Sequence, residues 1–362
     1  MKAIVLHRIK EPLTVEDVDL EEPTAGEVRV RMVASGVCHS CLHAADGSWG
    51  PGIPLPIVLG DEGAGVVEAV GAGVLRLKPG DHVILSWAPA CGQCRPCARG
   101  RSVLCESALK FGYGITGGVR MHMKGQDVHH YGPATYASVV LVPERCAVKI
   151  RDEMPLEKAA LIGCSVMTGV GSVINSAAAR PGDSVAVFGC GGIGLNAIQG
   201  GRMVSASPLI AVDTLDSKLE LARSFGASHV LNPTRDDVPS EIRRITGSGA
   251  NHAIVSVGST RVAEQAWDSV ASGGNCVMVG LPPVDERITI NPRALVGPER
   301  RLIGASYGSA RVFDDFPRMV DLYLAGLLRI DELITRRYGM DEANEAFRAL
   351  AEGQNARGLI VF

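Results

Sequence analysis

Short apolar runs broken by glycine and proline fill the first 150 residues: KAIVL, EVRVRMVASG, GAGVVEAVG, HVILS and YASVVLV. Runs of this length, rich in valine and isoleucine and bounded by turn residues, predict strands and a mostly β unit. The pattern changes near residue 155. SVAVFG is followed by a helical stretch opening near Gly192, and LIAVD by one over residues 217–225; HVLN, HAIVSVG and NCVMVG come next. Such alternation predicts a parallel sheet with helices on both faces. Beyond Pro298 come a strand-like RLIGASYG, two helical segments and a terminal strand, GLIVF. The pattern contains no internal repeat, low-complexity tract or long linker.

Composition narrows this picture. A chain of 362 residues suggests about two domains of roughly 100–200 residues each. Apolar residues make up 46% and aromatics only 4%, so aliphatic side chains must fill the cores. A net charge of −3 gives no basic surface of the kind nucleic acid requires. No apolar run reaches the ~18 residues of a membrane span. The N-terminus, MKAIVLHRIKEPLTVEDV, starts as a strand and turns charged, unlike a signal peptide. A cytoplasmic protein is expected, and there ten cysteines read as metal ligands or core residues rather than disulfides.

Two motifs carry chemistry. In VAVFGCGGIGLNAIQGG, Gly189, Gly191 and Gly194 form G-x-G-x-x-G directly after an apolar strand, and Gly192 opens the helix. The first glycine permits a tight turn, the second admits a pyrophosphate to the backbone, and the third packs helix on strand. The helix N-terminus then faces the phosphates. Asp213 ends the next strand 24 residues after Gly189. A carboxylate there accepts hydrogen bonds from the adenosine ribose and repels an added phosphate, which favours NAD over NADP. Lys218, one helical turn further, reaches toward the same ribose. In CGQCRPCARGRSVLC, Cys91, Cys94, Cys97 and Cys105 suit one tetrahedral structural zinc. Proline, glycine and arginine between them cannot build a core, so the metal would hold the lobe together. The spacing alone would also admit an iron–sulfur cluster.

With these motifs in order, the chain resembles the zinc-dependent medium-chain alcohol dehydrogenases over essentially its whole length. The carriers are GVCHSCLH at 36–43, LGDEGAGVVEAVG at 59–71, KPGDHVI at 78–84, the cysteine lobe, LIGCSVMTGVGS at 161–172, the glycine turn and ARGLIVF. LIGCSVMTGVGSVIN and the length of the 106–135 loop lean toward the class III branch, which includes thiol-adduct (formaldehyde) dehydrogenases. The resemblance implies an α/β protein. A GroES-like, mostly β catalytic domain would span 1–154 and 298–362, and a doubly wound Rossmann domain 155–297. It also implies a catalytic zinc held by Cys38, Cys164 and a histidine.

At the histidine position stands Asp61, and Cys41 replaces the acidic residue that orients the family's ligand histidine. Three readings follow. Asp61 is itself the third ligand; or Cys41 is, as part of a C-x2-C pair; or no catalytic zinc is bound and Cys38 and Cys164 are core residues. Glu62 keeps the family's glutamate and would approach the metal from behind. Ser40 and His43 match the family's proton path, from substrate oxygen through hydroxyl and imidazole to solvent. His39 and Arg357 match contacts to the pyrophosphate, and Thr168 a contact beside the nicotinamide. Trp87 matches a wall of the substrate pocket; Trp49, Met121, Leu281 and Tyr307 serve as such walls or as plain packing.

The expected function is NAD-dependent interconversion of a small-molecule alcohol and an aldehyde or ketone. Cys38, Asp61, Cys164, Ser40 and His43 would form the catalytic centre. The rivals are a zinc-free reductase of the same fold acting on an activated C=C or C=O bond, a redox-neutral enzyme that holds NAD, and an NAD-binding protein without turnover. His122, His129 and His130 read as exposed loop residues; Cys146, Cys190 and Cys276 read as core. The length of the 106–135 loop suggests a homodimer.

Overall fold

The computed structural model describes residues 1–50, 52–107 and 118–362. The chain forms two compact units: Met1–Cys164 with Arg311–Phe362, and Ser165–Ala310. These boundaries differ from 154 and 298. Residues 155–164 contact the β unit, and the strand Arg301–Gly304 pairs in parallel with Val270–Met278 of the second unit.

The first unit is built on the strand Glu27–Gly36. Gly63–Val70 runs antiparallel along one edge of it. The other edge is shared between Val139–Pro143, paired with residues 27–31, and Arg357–Val361, paired with residues 34–36. One long strand therefore joins the middle of the chain and its C-terminus. Val28, Val30, Met32 and Ala34 alternate inward and are buried, as the period of two requires. A second sheet joins Lys2–Leu6 to Thr14–Asp17 and Ile57–Val58, and continues through Gln126–His130, Met121–Met123 and Asp19–Leu20. YASVVLV is divided between the sheets. The Tyr136 carbonyl accepts from Ile4 N–H at 2.8 Å, so the strand on Glu27–Gly36 begins only at Val139.

The second unit has six parallel strands in the order His229–Leu231, Leu209–Val212, Val185–Phe188, Ala250–Val255, Val270–Met278 and Arg301–Gly304. Numbered within the unit this is 3-2-1-4-5-6, a doubly wound sheet whose direction reverses beside Val185–Phe188. All four residues of that strand are buried, as expected where helices cover both faces. The helices Val238–Thr246 and Thr260–Asp268 add to the sequence reading. Each is announced by a cap: the Asp237 carboxylate accepts from Ser240 N–H, and the Ser259 hydroxyl from Val262 N–H. No single helix among the described residues is long and apolar enough to cross a membrane.

The segment 106–135 is not simply a loop. Residues 108–117 lie outside the described residues, but Met121–Met123 and Gln126–His130 form an antiparallel hairpin. Its two turn residues, Lys124 and Gly125, both have positive φ (51° and 77°), which suits a tight hairpin turn. His122 is paired with Glu21 and Asp127, and the Glu21 carboxylate chiefly raises its pKa. His130 corrects the expectation of exposed histidines: it is buried, and burial lowers its pKa to about 4. Above the unfolded value of about 6.5 both states are neutral; below it only the unfolded chain takes the proton, so stability falls with pH until the folded group titrates. His130 is expected to remove about 3 kcal/mol as pH drops from 6.5 to about 4. Comparing unfolding curves of wild type and His130→Gln across that window checks this; equal pH slopes would refute it.

Candidate metal and dinucleotide sites

Where the strand Glu27–Gly36 ends, three segments are brought together. Gly36 N–H donates to the Glu62 carbonyl at 2.7 Å, and Val37 N–H to the Gly358 carbonyl at 3.0 Å. A side chain at Gly36 would collide with the Glu62 carboxylate. Cys38 follows as N-cap of the helix His39–Asp46, in extended conformation. Asp61 immediately precedes Glu62, and Cys164 follows the short 3-10 turn Leu161–Gly163. One sulfur of Cys38, one of Cys164 and a carboxylate oxygen of Asp61 lie within 4.8 Å of one another, all buried. The two sulfurs are 3.9 Å apart.

This donor set fits a cation. Two thiols and a carboxyl group share a dry site, and burial followed by the Cys38 thiolate holds the Asp61 carboxyl well above its usual range. The hydrogen bond from Cys164 chiefly lowers Cys38 and at the same time raises Cys164. Thiolate and carboxylate at tetrahedral reach are ordinary zinc ligands, and a divalent ion would reverse these preferences. Cys41 Sγ donates to Asp61 Oδ1 at 3.7 Å, and Cys41 does not belong to the mutually close trio. Glu62 is fully buried and forms an ion pair with Arg357, itself 4% exposed. Glu62 therefore faces a guanidinium, and Arg357 is turned toward Glu62 rather than standing open to solvent.

The helix after Cys38 carries Ser40 and His43 at i and i+3, on one face. The Ser40 hydroxyl and backbone N–H both serve the Cys38 sulfur. The His43 side chain is 32% exposed, and its Nδ1 lies 3.8 Å from Asp46 Oδ2, beyond hydrogen-bond distance. Its ring stands between those of His39, at 6.1 Å, and Trp49, at 6.2 Å, and Tyr131 lies 6.0 Å beyond Trp49. His39 is exposed. Tyr131, not singled out from the sequence, is held protonated by burial first and then by the charge of Asp61 and the nearby cysteines. Trp87 packs its Cβ 3.4 Å from where a side chain on Gly132 would begin. Met121 is core, Leu281 is exposed, and Tyr307 is buried in the second unit at φ 54°.

The cysteine lobe is equally well gathered. The sulfurs of Cys91, Cys94, Cys97 and Cys105 lie within 4.8 Å of one another. Cys91 N–H points at Cys105 Sγ (3.2 Å) and Cys94 N–H at Cys91 Sγ (3.3 Å). Backbone N–H groups of Gln93 and Cys94 lower Cys91 to about 6, whereas burial raises Cys97 to about 12. Residues 91–104 contribute no buried side chain, so a metal on the four sulfurs would supply the organisation a core gives elsewhere. Cys146, Cys190 and Cys276 are buried and free.

In the second unit the glycine turn lies at the carboxyl end of Val185–Phe188, the point where a doubly wound sheet binds its ligand. Gly189 has φ +92°. A Cβ added at Gly191 would meet no atom within 4 Å, so the space above it is open, whereas one on Gly194 would overlap the Gly189 carbonyl. The helix Gly192–Met203 has no side-chain cap, which leaves its first N–H groups to an anion. Asp213 accepts from Cys190 N–H at 2.8 Å and from Leu215 N–H at 3.0 Å. Those bonds fix its carboxylate beside the turn with lone pairs to spare. Lys218 is half-buried in the first turn of the helix Asp216–Phe225, and Thr168 is buried in the helix Ser165–Gly171.

A buried group of two thiols and a carboxyl that could hold a metal, on a GroES-like unit, and a glycine turn suited to a dinucleotide, on a Rossmann unit, are the features of a metal-assisted, nicotinamide-linked oxidoreductase. Residues 24–152 match the alcohol dehydrogenase GroES-like domain, and residues 192–325 the zinc-binding dehydrogenase family. An NDMA-dependent alcohol dehydrogenase of Amycolatopsis methanolica is 39% identical over 99% of this chain and 98% of its own. An S-(hydroxymethyl)glutathione dehydrogenase of Haemophilus influenzae is 38% identical over 99% of this chain and 96% of its own. The crystal structure of benzyl alcohol dehydrogenase from Acinetobacter calcoaceticus superimposes with a TM-score of 0.94 at 31% identity, covering 100% of this chain and 99% of that one. The chain belongs to the zinc-dependent medium-chain alcohol dehydrogenase family.

The glycine geometry separates two roles by experiment. Gly191→Ala is expected to leave the thermal midpoint of the cofactor-free protein unchanged and to weaken NAD binding at least ~10-fold, as a methyl group on the approach path of the pyrophosphate requires. Gly194→Ala should lower the midpoint itself. Differential scanning fluorimetry with NAD titration distinguishes them, and equal midpoints for the two variants would contradict the assignment.

Proposed function

We propose that this chain catalyses NAD-linked interconversion of a small-molecule alcohol and its aldehyde or ketone, with Cys38, Asp61 and Cys164 as ligands of a catalytic zinc. The observation that carries the reading is the convergence of those three side chains at the start of the helix bearing Ser40 and His43. Zinc held there would supply electrophilic pull on the substrate oxygen, weaker than from a neutral ligand set because two thiolates and a carboxylate would leave the site formally −1.

The remaining work falls to the chain's own groups. Ser40 turns its hydroxyl from Cys38 to the substrate oxygen and passes the proton to His43. His43, half-exposed and with its Nδ1 3.8 Å from the Asp46 carboxylate, passes it to solvent. Trp49 and Tyr131 form an aromatic wall beside His43 and exclude water from one side of the path. In the second unit Gly189, Gly191, Gly192 and Gly194 cradle the pyrophosphate, Asp213 and Lys218 hold the adenosine ribose, and Thr168 borders the nicotinamide. His39 adds a cationic or hydrogen-bonding contact to the pyrophosphate. Arg357, expected at the pyrophosphate, is instead buried against Glu62 and is left out of the cofactor contacts. The cofactor itself carries the hydride.

The fixed Asp213 carboxylate favours NAD over NADP by repelling a 2′-phosphate. The hairpin-bearing segment 106–135 supports a homodimer, to be checked by light scattering; a cytoplasmic location accords with the reduced cysteines the two metal sites require.

Wild type is expected to hold two zinc ions per chain. Asp61→Ala should retain the fold and one zinc, and lose activity. Retention of both zincs would remove Asp61 from the ligand set. Ser40→Ala and His43→Gln should each lower kcat/KM by roughly 10²–10⁴-fold with zinc content unchanged, the usual scale for a proton-transfer group. Stopped activity assays and elemental analysis on the same preparations check both outcomes.

A further inference from the structure

We propose that Cys41 is a positioning residue for Asp61: its thiol donates to one carboxylate oxygen and thereby turns the other toward Cys38 and Cys164. The inference rests on the reading of Asp61 as a zinc ligand. Cys41 Sγ lies 3.7 Å from Asp61 Oδ1, within reach of a sulfur donor, and both residues are buried.

A monodentate carboxylate ligand leaves one oxygen without metal. In a dry site that oxygen needs a donor, because an unsatisfied charged acceptor is expensive to bury. The trio of mutually close donor atoms contains Cys38, Asp61 and Cys164 and leaves Cys41 out. The other sides of the Cys41 sulfur are already engaged. Gly60 N–H donates to it, and the Tyr136 hydroxyl, which also faces the Gly36 carbonyl at 3.2 Å, is in hydrogen-bond contact with it. Tyr136 is fully buried, and Gly60 has φ +112° and no room for a side chain against Thr135. Beside these two neighbours, the Asp61 carboxylate is the anionic acceptor within the thiol's reach. Outer partners of this kind fix ligand orientation and are worth about 10–100-fold in metal affinity. Cys41 does for a carboxylate what a carboxylate does for a ligand imidazole, with donor and acceptor exchanged.

The test uses full-length protein that keeps zinc in the four-cysteine lobe and carries cobalt(II) at the second site. Sulfur-to-cobalt charge-transfer absorbance per bound cobalt counts thiolate ligands. Cys38→Ser serves as the reference for loss of one ligand. Cys41→Ser, whose hydroxyl still donates, is expected to keep wild-type charge-transfer intensity and to bind cobalt within about 3-fold of wild type, well inside the range expected for loss of an outer partner. Cys41→Ala should keep the intensity and bind cobalt about 10–100-fold more weakly. A drop in intensity in either Cys41 variant to the Cys38→Ser level would make Cys41 a ligand and overturn the proposal. Unchanged affinity in Cys41→Ala would overturn it too. If the alanine variant does not fold, the intensity and affinity of the serine variant decide. Zinc content of Asp61→Ala separates the two inferences: loss of one zinc there with no effect at Cys41 defeats only the positioning role, whereas retention of both zincs defeats the ligand reading beneath it.

Discussion

The end of the strand Glu27–Gly36 draws together most of the candidate metal site. Its last N–H groups are tied on one side to Glu62 and, through Val37, on the other to Gly358. Those two bonds place Cys38, Asp61 and Arg357 around one point, though the residues lie up to 319 positions apart in a chain of 362. Gly36 must be a glycine because the Glu62 carboxylate occupies the space of its side chain. The Glu62–Arg357 pair then closes the back of the site. Removing one partner of such a buried pair typically costs about 3–5 kcal/mol, because a lone charge is left in a low-dielectric interior. The pair therefore acts as a clamp between the middle of the chain and its C-terminal strand.

Charge explains why the clamp matters. Cys38, Cys41, Asp61 and Cys164 are four acidic groups in one buried cluster, with Glu62 adjacent. Arg357 is the positive group that lowers both Cys38 and Asp61. Its charge is already matched by Glu62, so it cannot neutralise the cluster as well. Without a further cation the carboxyl and at least one thiol are driven toward their neutral forms. A divalent ion at the centre would let Cys38, Asp61 and Cys164 serve as anionic ligands and leave Cys41 a thiol. The same cluster that is awkward as a protein core is thus well matched to a metal, in keeping with the close approach of its three donor atoms.

Much of this was legible in the sequence, but unevenly. The glycine turn and Asp213 were readable because each residue answers a local demand: positive φ at Gly189, open space at Gly191, contact at Gly194. The lobe cysteines were readable from spacing, since short loops bring close neighbours together. Cys38, Asp61 and Cys164 were suggested by family resemblance, and only the fold shows their donor atoms meeting. Arg357 facing Glu62 was not legible, because a contact across almost the whole chain leaves no local trace. Tyr131 was missed for a similar reason: it neighbours Trp49 only through the sheet that joins Ile57–Val58 to Gln126–His130. The hairpin that holds His130 did leave a signal, Lys-Gly between two short alternating runs, and His130 is buried because that strand is interior to its sheet.

The paired departure at residues 41 and 61 is best understood as an exchange of polarity. A ligand histidine is neutral and carries a spare N–H, so its outer partner must be an acceptor. A ligand aspartate is anionic and carries a spare lone pair, so its outer partner must be a donor. Keeping a carboxylate at 41 beside Asp61 would place two buried anions within hydrogen-bond distance with no proton between them, which the low dielectric penalises. A thiol at 41 removes the repulsion, fits the small space beside Tyr136 and Gly60, and supplies the donor. The two positions are therefore coupled by proton inventory rather than by size, and a change at one without the other leaves either two acceptors or two donors facing each other in a buried site.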